Sequence, residues 1–289
     1  MKHSFSRIII LLFCFTLRCE ASESAEPPKI GNFALPGSQQ PGPLVGFGQN
    51  ILDKHETQLT LSASDYAGID KHFIDLTPSV VYGITDKLSV SVNVPYAASF
   101  KTGPDHSTGF EDASTQVEYA VYNKSTSRFE DQATLLGGIS VPTGSTQKMP
   151  QTGLGSPSFF LGTTFDRTYV KWFVFAAPGA ELTTNDDGTQ FGNNYLYQMG
   201  FGKNITNVNG WILAWMTEVD GTYTQKDVIN GITDPDSGGN VIYATPSFWA
   251  STKQFIFQFG VGLPISQNLN GDQTRETYLI DANLSWSIY

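Results

Sequence analysis

The side chains with the clearest functional chemistry lie on the polar side of segments that alternate residue by residue. In residues 111–121, Gln116 and Glu118 alternate with Val117 and Tyr119. Successive side chains of a β-strand point to opposite faces, so this segment has one polar, acidic face and one apolar face. Carboxylates in a confined polar space raise the local concentration of cations. The pattern therefore predicts a pathway for small solutes.

Other alternating segments contribute inward-facing residues of the same kinds. We predict that the solute pathway is lined by Asp75, Gln116, Glu118, Lys171, Phe173, Phe175, Gln198, Glu218 and Asp281. Glu118, Glu218 and Asp281 favour cations and neutral solutes, and the two phenylalanines offer an apolar surface for aromatic solutes. In the alternative interpretation, the carboxylates pair with Lys171 and other bases and brace a closed wall.

The segments that carry these residues are predicted to be the strands of a membrane barrel. In residues 88–94 (LSVSVNV) the apolar and polar residues alternate without a break. About twelve such segments follow one another over residues 54–289, and no apolar run after the N-terminus approaches the roughly 20 residues of a membrane helix. We predict an all-β fold, a transmembrane antiparallel up-and-down β-barrel of about 12 strands. A soluble β-sandwich or lipocalin-like barrel is the alternative, but its inner faces would be apolar.

Two segments precede the predicted barrel. Residues 8–17 form a ten-residue apolar run after two bases, and Ala21 completes a small-x-small cleavage site, so residues 1–21 are predicted to be a secretory signal peptide. A lipoprotein signal with Cys19 is the alternative, although Arg18 occupies a position that should be small. Residues 22–53 are rich in Pro and Gly and are predicted to form a periplasmic segment or a plug.

Connections of alternating length set the predicted orientation of the barrel. Tight turns are expected at 84–86, 166–168 and 251–253, with longer exceptions at 123–131 and 203–209. Long loops are expected after the odd-numbered strands, including 99–109, 143–153, 183–190, 225–239 and 266–275. Short periplasmic turns and long extracellular loops are typical of outer-membrane barrels, and both termini are then periplasmic.

Paired glycines on inward faces predict a close approach to the wall. Gly200 with Gly202 and Gly260 with Gly262 leave room either for a neighbouring side chain or for a plug segment. Sharp curvature of the wall is the alternative explanation.

The chain resembles the MetA-pathway of phenol degradation family of bacterial outer-membrane proteins. The resemblance rests on four motifs in order: YGITDKLSVSVNVP at 82–95, GFEDASTQVEY at 109–119, GISVPTG at 138–144 and GLGS at 153–156. It covers roughly the first half of the barrel. It implies an outer-membrane barrel with a transport role for aromatic or hydrophobic compounds, and it brings no catalytic residues.

The C-terminus departs from the usual pattern of outer-membrane barrels. Such barrels end with an aromatic residue on the lipid face, which serves as an assembly signal for the barrel-assembly machinery. Strict alternation instead groups Tyr289 with Ser287, opposite Trp286 and Ile288. Either the last residues slip by one position or the signal is atypical.

Enzyme, metal and nucleic-acid chemistry find little support in the sequence. It contains no G-x-S-x-G or H-E-x-x-H motif and no complete calcium loop, so we expect neither a catalytic site nor a cofactor. The net charge of −10, without a basic tract, argues against nucleic acid. We expect an outer-membrane channel for passive uptake, with lipid, the assembly machinery and a small solute as partners. The alternatives are a structural or surface-interaction protein and an outer-membrane lipase.

Overall fold

The structure, a computed structural model, describes residues 27–289, so the predicted signal peptide lies outside the described residues. Two short 3-10 helices, Gly31–Ala34 and Gly37–Gln39, precede a series of antiparallel strands. The strands are β1 (Thr57–Gly68), β2 (Lys71–Thr85), β3 (Leu88–Asn93), β4 (Tyr96–Thr102), β5 (Asp105–Phe110), β6 (Ala113–Ser125), β7 (Phe129–Val141), β8 (Ser158–Tyr169), β9 (Trp172–Thr183), β10 (Asn194–Val208), β11 (Trp211–Thr224), β12 (Val228–Ile229), β13 (Ile232–Thr233), β14 (Gly239–Ser251), β15 (Phe255–Leu269) and β16 (Glu276–Ile288). Within residues 27–289, no helix has the length and apolar character needed to cross a membrane.

The strands close into one barrel of twelve wall positions. Each wall strand pairs with its neighbours in the chain, and β1 pairs with both β2 and β16, which joins the two ends of the sheet. β3 and β4 together occupy the third position and β5 and β6 the fourth, while β12 and β13 form a small hairpin in a loop. The predicted all-β barrel of about 12 strands is confirmed.

The third and fourth wall positions are interrupted at the same height. Pro95 separates β3 from β4, and it has no N–H group to donate to the ladder. The carbonyl oxygen of Pro95 still accepts a hydrogen bond of 3.0 Å from the backbone N–H of Glu111, at the break between β5 and β6. The wall therefore stays hydrogen-bonded across the interruption.

The alternation of residues separates a polar interior from an apolar exterior. On β3 the side chain of Val92 is 49% exposed on the outer surface, whereas Ser89 is buried inside the barrel. On β6 Val117 and Tyr119 are exposed outside, and Glu118 is buried inside. This arrangement, polar inside and apolar outside, is that of a membrane barrel.

Exposed aromatic side chains form a girdle near each end of the barrel. One girdle includes Tyr82, Tyr119, Trp172, Phe201, Trp215 and Trp286, and the other includes Tyr96, Phe110, Phe159, Tyr195 and Tyr223. Aromatic girdles mark the two membrane–water interfaces. The turns beside the first girdle are all two or three residues long, whereas the second girdle lies at the end with the longest loops, so the first girdle marks the periplasmic end.

Several connections differ from their predicted lengths. Residues 99–109 are mostly strand, because β4 and β5 continue to a two-residue turn at 103–104. The connection after β1 was expected to be long but consists only of residues 69–70. The exceptions expected at 123–131 and 203–209 are also tight turns, since β6 extends to Ser125 and β10 to Val208. The sequence does not show where these strands end, because both polar and apolar side chains occur at the exposed rim of a barrel.

The last residue leaves the strand. β16 ends at Ile288, and the hydroxyl of Tyr289 donates a hydrogen bond of 2.7 Å to the carbonyl oxygen of Lys253 in a periplasmic turn. Trp286 and Ile288 are exposed on the lipid side, as the alternation predicted.

Candidate functional site

Residues 27–56, here called the inner segment, fold into the lumen as a loop. At its start the backbone N–H of Asn32 donates to the carbonyl oxygen of Val170 in the periplasmic turn between β8 and β9, at 2.8 Å. At its end the N–H of Lys54 donates to Asp86 in the turn between β2 and β3, at 3.0 Å. Both ends of the inner segment therefore lie at the periplasmic end of the barrel.

Glu218 on β11 holds the middle of the inner segment. Its two carboxylate oxygens accept hydrogen bonds from the backbone N–H groups of Leu44 (2.8 Å), Val45 (3.2 Å) and Gly46 (2.9 Å). The side chain is fully buried. A carboxylate that accepts several N–H bonds is a strong anchor, because hydrogen bonds to an ionised group are stronger than neutral ones.

Glu118 on β6 holds the following turn of the segment. It accepts the backbone N–H groups of Gln49 and Asn50, both at 3.0 Å, and the hydroxyl of Thr134 at 2.7 Å. Gly48, just before this turn, has a φ of +85°, and a Cβ there would lie 2.3 Å from the side chain of Thr164. The turn thus needs a glycine both for its backbone conformation and for its approach to the wall.

Phe47 fits into a notch in the wall. Its backbone N–H donates to the side-chain oxygen of Gln198 at 3.0 Å. Its ring meets Phe160 edge to face at 4.9 Å and lies over Gly162 and Gly179, which are register partners on β8 and β9. A Cβ at either glycine would come within 2.7 Å of the Phe47 ring. The notch exists because both glycines lack a side chain.

Phe173 and Phe175 are buried inside the barrel rather than open to solute. Together with Met216 they form a small apolar cluster, and Leu44 of the inner segment packs against it. Their rings occupy the space above Gly202 and Gly200 on β10, while Leu44 approaches Gly260 on β15. Gly200 and Gly202 thus admit neighbouring side chains and Gly260 admits the inner segment, so both predicted uses of the glycines occur.

Nearer the periplasmic end, the inner segment is fixed to the C-terminal half of the barrel. The side-chain amide of Gln39 donates to the hydroxyl of Ser287 at 2.7 Å, and the Gln39 carbonyl accepts the hydroxyl of Ser251 at 2.8 Å. Gln258 on β15 donates to the carbonyl oxygens of Gly42 and Pro43. The segment is therefore bound to opposite sides of the lumen.

Two cavities border the inner segment. The larger, about 710 Å³, lies between the segment and the wall and is lined by polar side chains that include Ser91, Asn93, Gln116 and Gln258. The smaller, about 270 Å³, is lined by Ser64 and Asp281 on the wall side. Leu44 borders both cavities, so the tip of the inner segment stands between them.

The other predicted pathway residues lie in different places. Asp75 and Asp281 face inward on the two strands that flank β1, since both are register partners of Ser64, and Ser64 donates a hydrogen bond to Asp281. Gln116 lines the larger cavity. The prediction for Lys171 is wrong: it lies exposed in the turn before β9, because that strand begins at Trp172. Lys71 is instead an inward base, and it pairs with Glu276 at 3.5 Å.

Sequence reasoning placed Glu118, Gln198 and Glu218 on inward faces but did not identify their partners. These partners are backbone N–H groups, which every residue except proline carries, so no residue type marks them. The only sign of such partners in the sequence was a carboxylate in the middle of a predicted strand with no base nearby. No group of three or more His, Cys, Asp or Glu side chains within residues 27–289 is arranged to hold a metal ion.

Comparison with known proteins gives structural but no sequence matches. No protein-family model matches the chain, and no curated protein matches it. The COG4313 outer membrane channel from Pseudomonas putida F1 superposes with a TM-score of 0.68 at 14% identity, over 82% of this chain and 97% of that one. The NanC porin gives a TM-score of 0.49 at 10% identity, over 79% of this chain and 98% of that one.

A third solved structure, LpxR from Salmonella typhimurium, gives a TM-score of 0.41 at 10% identity, over 79% of this chain and 99% of that one. Of these three similarities, the one to the Pseudomonas putida channel is strong enough to bear on the architecture, and at this identity it bears on the fold alone. Combined with the closed sheet, the polar interior and the aromatic girdles, it identifies this chain as a twelve-stranded β-barrel of the bacterial outer membrane.

Proposed function

We propose that this protein is an outer-membrane channel for passive uptake of small molecules, and that the inner segment is a plug that controls its lumen. The observation that carries the proposal is the division of a polar lumen by the tip of the plug. The cavities on the two sides of Leu44 measure about 710 and 270 Å³. Binding sites for small molecules commonly measure about 300–1,000 Å³. A shift of the tip would join the two spaces.

The charge of the lumen supports a preference for cations and neutral solutes. Asp75 and Asp281 face the lumen beyond the plug, and Asp220 on β11 is buried inside the barrel. The inward-facing base Lys71 is paired with Glu276, so it does not neutralise these carboxylates. Uncompensated carboxylates raise the local cation concentration, because the low-dielectric wall focuses their field.

The preference for aromatic compounds rests on the resemblance to the MetA-pathway of phenol degradation family, which stays a prediction from four motifs. Phe173 and Phe175 do not supply an open aromatic surface, since Leu44 and Met216 cover them. Withdrawal of Leu44 would expose this cluster. The proposed aromatic selectivity therefore belongs to the open state of the channel.

The second candidate is a structural or surface-interaction barrel that stays closed. The favouring observation is the number of hydrogen bonds that tie the inner segment to Glu118, Gln198 and Glu218. In that case these side chains brace a closed barrel, but through backbone N–H groups rather than through Lys171 and other bases, as the alternative interpretation of the sequence had it. An outer-membrane lipase is a third hypothesis, and phospholipid hydrolysis by the purified barrel would test it.

Planar-bilayer conductance tests the proposal. The full-length protein should show small or intermittent conductance, and a variant without residues 27–53 should show larger, steady conductance with cation selectivity across a salt gradient. Liposome swelling with neutral, cationic and anionic solutes of equal size would rank the permeants. A barrel that stays impermeable after the deletion, although correctly folded, would contradict the channel and favour the structural role.

A further inference from the structure

The periplasmic end of the barrel carries a ring of exposed bases, here called the basic rim. Lys87, Arg128, Lys171 and Lys253 lie in the short turns, and the fifth member, Lys203, lies on β10 beside the first residue of β9. The turns are spaced around the whole circumference, because each joins a different pair of neighbouring strands. The basic rim therefore encircles the barrel rather than forming a patch on one side.

The basic rim lies just outside the periplasmic aromatic girdle. Lys171 lies between Tyr169 and Trp172, whose rings stack at 4.0 Å. Lys203 is the register partner of both Trp172 and Trp215. The girdle marks the membrane–water interface. Bases at or just beyond it lie at the height of lipid headgroups, where their long side chains reach the phosphates.

Aromatic side chains at the same end of the barrel also lie next to Lys253 and Arg128. The rings of Phe255 and Trp286 meet at 5.3 Å directly beside the turn that contains Lys253, and Phe129 follows Arg128. Arg167, also on the outer wall, is excluded from the basic rim because it makes two hydrogen bonds to Asp131.

At the opposite end of the barrel, exposed acidic side chains outnumber the exposed bases. Its loops and turns expose the carboxylates Asp70, Asp105, Asp186, Asp187, Asp236 and Asp272. At the periplasmic end, the exposed acidic side chains of the described chain are Asp53 and Asp86, which lie beside Lys54 and Lys87 on one side of the barrel. The other four members of the basic rim have no exposed acidic side chain next to them.

We propose that the basic rim binds anionic phospholipids of the leaflet that faces the periplasm. Its position at headgroup height and its continuation around the barrel fit a shell of lipid, whereas a protein partner would contact one side. A base close to a membrane surface strengthens the attraction to anionic lipid by roughly fivefold. The protein should therefore gather lipids such as phosphatidylglycerol from a mixed bilayer.

The tryptophans of the protein supply the assay. Trp172, Trp211, Trp215 and Trp286 are exposed at the periplasmic end, so their fluorescence reports on the lipids next to the basic rim. The protein is reconstituted into bilayers that contain brominated phosphatidylglycerol or brominated phosphatidylcholine, which quench tryptophan on contact. The ratio of the two association constants measures the preference for anionic lipid within one protein, so a general loss of stability cancels.

We expect the wild-type ratio to favour phosphatidylglycerol by at least tenfold in low salt and to fall as salt screens the charges. A variant with Arg128→Gln, Lys171→Gln, Lys203→Gln and Lys253→Gln should have a ratio close to one. The matched control changes four bases of the other end: Lys101→Gln, Lys148→Gln, Lys226→Gln and Arg275→Gln. It should keep the wild-type ratio.

Two outcomes would overturn the proposal. One is a wild-type ratio near one, which would mean that the basic rim is merely solvated or serves an acidic partner other than lipid. The other is an equal loss of preference in both variants, which would mean that only the net charge of the protein matters. Heat-modifiable migration on mild gels would establish that each variant is folded before the measurement.

Discussion

Replacement of Glu218 by glutamine should loosen the tip of the plug. Glu218 accepts three backbone N–H groups through two oxygens, one from Leu44 and two from Val45 and Gly46. In Glu218→Gln an NH₂ group takes the place of one oxygen, and it cannot accept the N–H group that it faces. The change keeps the size of the side chain and removes at least one charge-assisted hydrogen bond.

The expected magnitude follows from the number of bonds lost. A hydrogen bond to an ionised group contributes about 1.5–3 kcal/mol net. The carboxylate loses its contact with water when the plug docks, and part of the gain is offset by that cost. Loss of one or two bonds should then weaken docking by about 1.5–3 kcal/mol. Since about 1.4 kcal/mol corresponds to tenfold, the population of the undocked plug should rise roughly 10- to 100-fold.

Single-channel recording measures this change directly. Glu218→Gln should raise the fraction of time spent in a conducting state, and Glu118→Gln, which loses one of its bonds to Gln49 or Asn50, should do the same. Asp281→Asn is the matched control. Asp281 faces the lumen and borders the smaller cavity, but it accepts its hydrogen bond from Ser64 of the wall. It should change ion selectivity and leave the open fraction unchanged.

The reasoning would be refuted by an unchanged open fraction in both glutamine variants of a folded protein. An equal increase in Asp281→Asn would also refute it, because the effect would then come from lumen charge rather than from the anchors of the plug. The contacts of Glu118 and Glu218 with the plug also change the expected origin of ion selectivity. Glu118 and Glu218 are engaged by the plug, so the ion selectivity of the small conductance that remains with the plug docked should depend more on Asp75 and Asp281.

Two further predictions test the lipid-facing register and the notch. Val92→Arg should prevent assembly because Val92 faces lipid, where arginine costs about 2–4 kcal/mol near the midplane; Ser91→Arg should be tolerated because Ser91 lines the larger cavity. Heat-modifiable migration of both variants checks this, and equal folding would show that the register is wrong. Phe47→Ala should raise the open fraction by emptying the notch at Gly162 and Gly179, with Val45→Ala, whose backbone contact is retained, as the control. An increase of the same size in both would show that the notch has no special role.

Much of the wall could be predicted from the sequence because a strand has a strict period of two. In residues 88–94 that period assigned Val92 to the lipid side and Ser91 to the lumen. The same rule failed for Lys171, since it holds only within a strand and Lys171 lies one residue before β9 begins. It also failed at the ends of β4 and β5, where exposed residues of either polarity continue the ladder.

The interior of the barrel could be predicted only in part. The inward faces of Glu118, Gln198 and Glu218 follow from alternation, but their role depends on backbone N–H groups of residues 44–50, far away in sequence. Composition alone suggested a plug, because residues 22–53 are rich in Pro and Gly. Neither pattern indicates which strands the inner segment meets, since those contacts depend on the closed barrel.

The attachment of Gln39 to Ser287 has a consequence for the order of assembly. These residues are 248 positions apart, so a segment that precedes all the barrel strands forms a contact with the last of them. Contacts between distant parts of a chain form slowly, because a long loop must close first. The inner segment cannot complete its hydrogen bonds until β16 has paired with β1. The inner segment therefore docks only after the barrel has closed, and this docking should be among the last events of folding.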